Sequence, residues 1–483
     1  MANGARSLPS RPSLRHLKLE AKRRLSAGEF PALHEAQLAI AREHGQPSWT
    51  ALKKLIDGQS SQGSHVLPQL RWVAARFRDA GTPGWRAPVT SELRQHFSDE
   101  FLRRAPRAEL IAAMTEVAAK WREPCVVTAE APLAAQVRCA GLQLAAAVEA
   151  GPPHRLIRLR WFPLGGRIGG APCQAPPPNA VGEVPEAARE MAAAAVAELG
   201  LPGLVLAGGG RNAPEWAIAV GWANLDRAEA LTTGHRFPAC RVTRLITAIA
   251  VLRLVDDGKV ALDDPVTEHL RPAQLASRAV TVADLLTLTG KAANSAYAAL
   301  GELIADVTRS PYADAVARLV LEPLGMSDSS FPASWPGTAA GVVTGYQVDR
   351  DTGFAQGPAR ACGIPAADGL WTTAADLAVF GVRWPSLLTG ELAREALRPR
   401  PSNGPGGLRA GLGWFTGQHG DIAGMAGGRP GAYASLLVQG TPAQFSRTMG
   451  GDPMMSCVAL TNRQLPILDV TVRLLRAARA GPR

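Results

Sequence analysis

The stretch Val242–Leu254 constrains this chain more than any other. Val242, Leu245, Ile246, Ile249, Ala250, Leu252 and Leu254 cover nearly every face of a 3.6-residue period. A helix with that pattern has no side to offer water and has to be buried. Gly258 stands where a left-handed residue commonly ends such a helix, and Leu262-Asp-Asp-Pro265 then turns the chain. Two arginines, Arg241 and Arg244, stand three residues apart at the helix head, on one helical face.

With 483 residues the chain has material for two to four domains. Hydrophobic content of 46% and charged content of 19% describe an ordinary globular protein with sizeable cores. The net charge of +11 is carried by arginine scattered from end to end, with only seven lysines. A nucleic-acid binder clusters its basic residues and interleaves aromatics, so no specific nucleic-acid partner is expected. Six widely spaced cysteines form no Cys-x-x-Cys pair, so neither a metal site nor a disulfide framework is expected. A polar, basic N-terminus without an apolar core, and no uninterrupted apolar run of membrane-spanning length, make the cytoplasm the expected location and a membrane an unexpected partner.

Three segments follow. Residues 1–57 carry helical spacing (Leu14, Leu17, Ala21, Leu25), with further helices from Pro31 to His44 and Ser48 to Ile56. The linker Gln59-Ser-Ser-Gln-Gly-Ser64 leads into residues 66–170, where helical patterns (69–79, 91–104, 107–121) precede strand patterns (125–129, 135–149, 156–162). Helices ahead of an antiparallel sheet predict an α+β cone. A Pro-rich linker, 171–184, separates this from residues 185–483. There a helix (185–199) and two strands around Gly208-Gly-Gly-Arg211 open the domain, strands at 433–438 and 457–461 come late, and an amphipathic helix (466–480) closes it. The glycines lie between apolar strands and suit a hairpin turn rather than a phosphate cradle.

The segment Phe237–Val266 resembles the nucleophile helix of the β-lactamase-related serine hydrolases, the class C β-lactamase and penicillin-binding-protein group. Further matches are Leu321-Glu-Pro-Leu-Gly-Met326, Gly369-Leu-Trp-Thr-Thr-Ala-Ala-Asp376, Gly411-Leu-Gly-Trp414 and Val458-Ala-Leu-Thr-Asn462. The resemblance covers most of 190–480 and implies an antiparallel sheet flanked by helices. Residues 66–170 resemble the cystatin-like, or nuclear-transport-factor-2-like, domain of Cpe/LpqF-type proteins, so the whole chain is expected to be a multidomain α+β protein. The family implies a Ser-x-x-Lys pair, a Tyr-x-Asn motif and a His or Lys on a strand. Here Arg241 and Arg244 stand for the Ser and Lys, Ala292 for the Tyr of Ala292-Ala-Asn294, and Met425 for the His of Gly424-Met-Ala-Gly427. A loop forming one wall of the family's site is missing before Ala292, so the cleft is expected to be more open.

Arginine is neither a nucleophile nor a proton acceptor. The expectation is therefore a catalytically inactive family member that binds a small carboxylate- or phosphate-bearing ligand, or a protein, through Arg241, Arg244, Asn294 and Gly427 at a helix N-terminus favourable to anions. No metal or cofactor is expected. The alternative is an active esterase or amidase whose nucleophile is Cys240, with Arg241 lowering the thiol's pKa. Ser295, Ser435 and a displaced His419 lie in the same region without a visible base.

Overall fold

Leu204-Val205-Leu206-Ala207 alternates between two cores. Leu204 and Leu206 pack with Ile218, Cys457 and Ala459 beneath the helices Glu186–Leu199 and Leu468–Ala480. Val205 and Ala207 pack with Leu436, Val458 and Leu460 around the helix Thr243–Asp256. A strand covered on both faces has no polar side, which is why its sequence is an unbroken apolar run. The computed structural model describes most of residues 20–43, 64–163, 175–270, 280–287, 292–400, 409–440 and 455–480. They fall into two compact units, which divide between Trp161 and Phe162 except that Gly141–Gln143 groups with the C-terminal one.

The C-terminal unit is organised by one nine-stranded sheet. Its order is Arg409–Ala410, Phe415–Thr416, Ile422–Arg429, Ala432–Gln439, Met455–Thr461, Gly203–Gly209, Trp216–Asn224 and Asn179–Gly182, with Glu229–Ala230 also on Trp216–Asn224. Every pairing is antiparallel. Asn179–Gly182 corrects the linker expectation: behind Pro176–Pro178 the chain already forms an edge strand. The glycine reading holds, since Gly208 sits opposite Trp216 in a hairpin. A Cβ on Gly208 would come within 2.6 Å of that indole.

The helix Thr243–Asp256 is buried from Thr243 through Leu252 and again at Leu254. A 3₁₀ turn, Cys240–Val242, precedes it, and Gly258 adopts φ +67° beyond its end as expected. Ala374–Arg383 lies on the same face of the sheet, where Gly381 lets it approach: a Cβ there would stand 2.7 Å from Ser456 Cβ. No described helix is long and apolar enough to cross a membrane.

In the N-terminal unit, helices Val66–Phe77, Thr90–His96, Asp99–Arg104 and Arg107–Ala118 precede a four-stranded sheet, Val126–Ala131, Ala134–Cys139, Leu142–Val148 and Leu156–Pro163, in sequential order. The helices-then-sheet order matches expectation; the long 135–149 stretch divides into two strands. Val66, Leu70, Val73 and Phe77 form the buried stripe of the first helix at three- and four-residue spacing. Cys125 and Cys139 are joined by a disulfide with Cα atoms 4.1 Å apart. This corrects the reading of the cysteines: fourteen residues apart in sequence, they end opposite one another because the hairpin pairs Val126 with Arg138. Ahead of these, Leu33–Glu43 is helical, with Ala21, Ala36, Ile40 and Ala41 in a small core. Residues 50–56 of the third expected helix lie outside the described residues.

Candidate functional site

The head of the central helix is latched by backbone and hydroxyl groups. Phe237-Pro238 pairs with Trp371-Thr372, and Ala239 N–H donates to Leu370 O at 2.8 Å. Thr243 Oγ1 accepts from Leu370 N–H at 3.3 Å. One turn later Thr247 Oγ1 donates to Ala366 O and accepts from Tyr312 OH, both at 2.7 Å. These bonds fix the short helical turn Pro365–Asp368 against the helix head. The loop Gly411–Trp414 closes in from another side: Gly413, at φ +85°, would place a Cβ 2.2 Å from Ala248 Cβ. Only glycine fits that conformation and that distance.

Arg241 and Arg244 begin on this frame and then diverge. Arg241 is exposed and makes no hydrogen bond or ion pair among the described residues. Its stem lies on Gly427, where a Cβ would meet Arg241 Cδ, Cγ and Cβ at 2.6, 2.8 and 2.9 Å. Arg244 is 6% exposed. Its Nη2 donates to Asn294 Oδ1 at 2.5 Å, and its Cζ stands 5.3 Å over the Tyr297 ring, a cation–π contact. Burial pulls the Arg244 pKa down, against the opposing fields of Tyr297 and Asp368.

The four residues of the expected ligand set take different places in this geometry. Asn294 Oδ1 accepts from Arg244, and Gly427 is the seat of the Arg241 stem. Arg244 is enclosed by its own neighbours, leaving Arg241 as the exposed member. The cause is length: a guanidinium placed where a lysine is expected reaches across to the Ala292–Thr308 helix and finds a carbonyl there.

A carboxylate that sequence reasoning missed completes the cluster. Asp368 feels Arg244, Arg241 and Arg429, yet burial outweighs them and raises its pKa. Its Oδ1 is buried without a hydrogen-bond partner among the described residues. The only signal was its place immediately before Gly369-Leu-Trp, one residue outside a motif taken as scaffold. Arg429, at the end of Ile422–Arg429, lies with its Cζ 5.2 Å over Trp335.

Cys240 is fully buried at φ +48°, and its Sγ–H points to Pro238 O at 3.5 Å. Burial pushes the thiol's pKa far up, with Asp368 adding to it; Arg241 is a minor opposing influence. The expected lowering by Arg241 is therefore reversed, because desolvation of the thiolate outweighs one exposed cation.

Met425 is buried on its strand opposite Leu436. Ala292 opens the helix Ala292–Thr308, with Asn294 in the first turn. Ser295 is exposed on that helix, Ser435 is buried against the Thr471 hydroxyl, and His419 lies outside the described residues. Residues 288–291, before which the expected open cleft would lie, are outside the described residues; beside Arg244 is a cavity of about 20 Å³ lined by residues including Tyr297, Trp414 and Met425. Among the described residues no group of His, Cys, Asp or Glu could hold a metal ion.

The latched helix, the antiparallel sheet with helices on both faces and the motif positions at the helix head define a penicillin-recognising hydrolase fold. A family model described as Beta-lactamase matches residues 188–480, and the chain belongs to the β-lactamase family. The fold is similar to that of the octameric penicillin-binding protein homologue from Pyrococcus abyssi, at 20% identity and a TM-score of 0.51, covering 61% of this chain and 77% of that one. It is also similar to a penicillin-binding protein from Bacillus halodurans, at 18% identity and a TM-score of 0.50, covering 61% of this chain and all of that one. No curated protein matches the chain.

Proposed function

We propose that this protein is a non-acylating member of the β-lactamase family that binds a small carboxylate- or phosphate-bearing ligand at Arg241. One observation carries the reading: both positions that supply nucleophile and base in the family hold arginine, and the two have taken separate roles. Arg244 is consumed by Asn294 and Tyr297. Arg241 keeps its guanidinium in solvent, with its stem seated on Gly427. Arg429, sharing the field of Asp368, is the second cation of the site. A guanidinium is a permanent cation with a planar fork of donors, suited to holding a carboxylate or phosphate and unable to attack or deprotonate one. The buried, high-pKa Cys240 offers no replacement nucleophile.

The test combines labelling and binding on the full chain. Fluorophosphonate and fluorescent-penicillin probes should leave the protein unlabelled, and nitrocefin and p-nitrophenyl esters should not turn over. Acylation of any residue within 237–250 would refute the reading. In a thermal-shift screen against carboxylates and phosphates, stabilisation should appear in the native protein and vanish in Arg241→Ala. Stabilisation that survives that substitution would remove Arg241 from the site.

A further inference from the structure

The turn Pro365–Asp368 is tied to the helix head on both sides of its last residue. Ala366 O, two residues before Asp368, accepts from the Thr247 hydroxyl at 2.7 Å, and Leu370 O, two residues after it, accepts from Ala239 N–H at 2.8 Å. Asp368 is thereby set against the turn Cys240–Val242 and the start of the central helix, which carry Arg241 and Arg244. Its Oδ1 is buried, and its side chain makes no hydrogen bond or ion pair among the described residues. Arg241 makes none either. A carboxyl group and an exposed guanidinium thus share one helix head without pairing.

A buried carboxylate without a donor tends to take up a proton rather than stay charged. The charged and titratable groups around Asp368 come from several elements. They are Arg244 on the central helix, Arg241 and Cys240 on the turn ahead of it, Arg429 on the strand Ile422–Arg429, and Cys362 just before the turn of Asp368 itself. The helix Ala292–Thr308 meets that turn at Gly301, where a Cβ would stand 2.8 Å from Ala366 Cβ, and its buried titratable group is Tyr297. The guanidiniums stay charged throughout the acid range, and burial holds both thiols and the Tyr297 hydroxyl above it. Asp368 is the member of this set that changes charge there, because burial raises it against the fields of Arg244, Arg241 and Arg429.

We propose that an anion held by Arg241 is taken up together with one proton from solvent, which comes to rest on Asp368. This rests on the reading of Arg241 as the ligand-holding residue. An ionised Asp368 competes with the incoming anion for the field of Arg241, and a neutral Asp368 does not. The anion in turn brings negative charge toward the carboxyl group and favours its protonated form, and linkage makes the two effects equal. The anion therefore binds most tightly in acid and loosens as pH rises and Asp368 ionises.

Isothermal titration calorimetry on the full chain tests this, with sulfate and trifluoroacetate as probes because each keeps a fixed charge from mildly acid to neutral pH. Affinity of the native protein should fall about tenfold over that range, a coupling of ordinary size. Binding heats compared in two buffers of different ionisation enthalpy should show uptake of up to one proton, a measurement that needs no variant. In Asp368→Asn the anion should still bind, with neither pH dependence nor proton uptake. Native binding that is equal at every pH and takes up no proton would overturn the proposal while leaving the Arg241 site standing, as would a native pH dependence retained in Asp368→Asn. Binding of neither probe at any pH, or binding that survives Arg241→Ala, would overturn both.

Discussion

Arg244 donates from Nη2 to Asn294 Oδ1 at 2.5 Å, joining two helices across fifty residues of sequence. The bond binds the family's lysine position to its second motif by a neutral amide, so the pair cannot exchange a proton. A hydrogen bond to a charged group contributes about 1.5–3 kcal/mol. A double-mutant cycle of Arg244→Met and Asn294→Ala, read by urea denaturation, should return a coupling of that size. Additive effects would mean that the contact does not hold the helices together.

Restoring the two missing letters should not restore the chemistry. Arg241→Ser with Arg244→Lys puts nucleophile and amine back at the helix head, but Ala292 and Met425 still supply no base and no strand cation. The expected result with fluorescent penicillin is no covalent label after prolonged incubation. A labelled Ser at 241 would show that the frame alone is enough for acylation.

Gly427 is bare because the Arg241 stem occupies the place of a Cβ. In Gly427→Ala the new methyl would stand 2.6–2.9 Å from three stem carbons. Overpacking of this kind costs about 1–3 kcal/mol, and the guanidinium must swing away. Melting temperature should fall, and any carboxylate or phosphate that binds through Arg241 should bind more weakly.

Thiol reactivity should follow burial. Cys240 and Cys457 are both buried, and desolvation pushes the Cys457 thiol up to about 12. Neither should react with a disulfide reagent at pH 8 in the folded protein. Half-buried Cys362, also raised by burial, should react slowly and ahead of them. All three should react in denaturant, while Cys125 and Cys139 should not until reduced. Rapid modification of Cys240 in the native state would revive it as a nucleophile.

Asp368 should make stability fall as pH rises through the acid range. Its folded pKa lies above the unfolded value, so the folded state holds the proton longer and is favoured at low pH. The advantage is complete below the unfolded pKa and is lost once pH passes the folded one. Asp368→Asn, which removes this titration, should therefore gain melting temperature relative to the native protein between pH 4 and 7. A difference that does not change over that range would contradict the role of burial.

Most of the frame was legible in the sequence because it rests on periodicity. The all-round apolar run of Val242–Leu254, the unbroken apolar Leu204–Ala207 strand and the amphipathic closing helix each announce one packing solution. The motifs at Leu321, Gly369 and Gly411 located the domain by their resemblance to those of the family. The site was less legible because its contacts are long-range and its residues had changed length. Nothing in the spacing of Arg244 says that it reaches Asn294, and nothing in Ala-Ala-Asp368 says that a carboxylate comes to rest among arginines. The Cys125–Cys139 bridge was missed for a related reason: it depends on hairpin register, which spacing alone does not set.

The helices Glu186–Leu199 and Leu468–Ala480 pack together on the face of the sheet turned away from the central helix. The first and last helices of the family domain thus support one face of the sheet while the central helix lies on the other. Substitutions on these two helices therefore reach the arginine-bearing face only through the sheet between them.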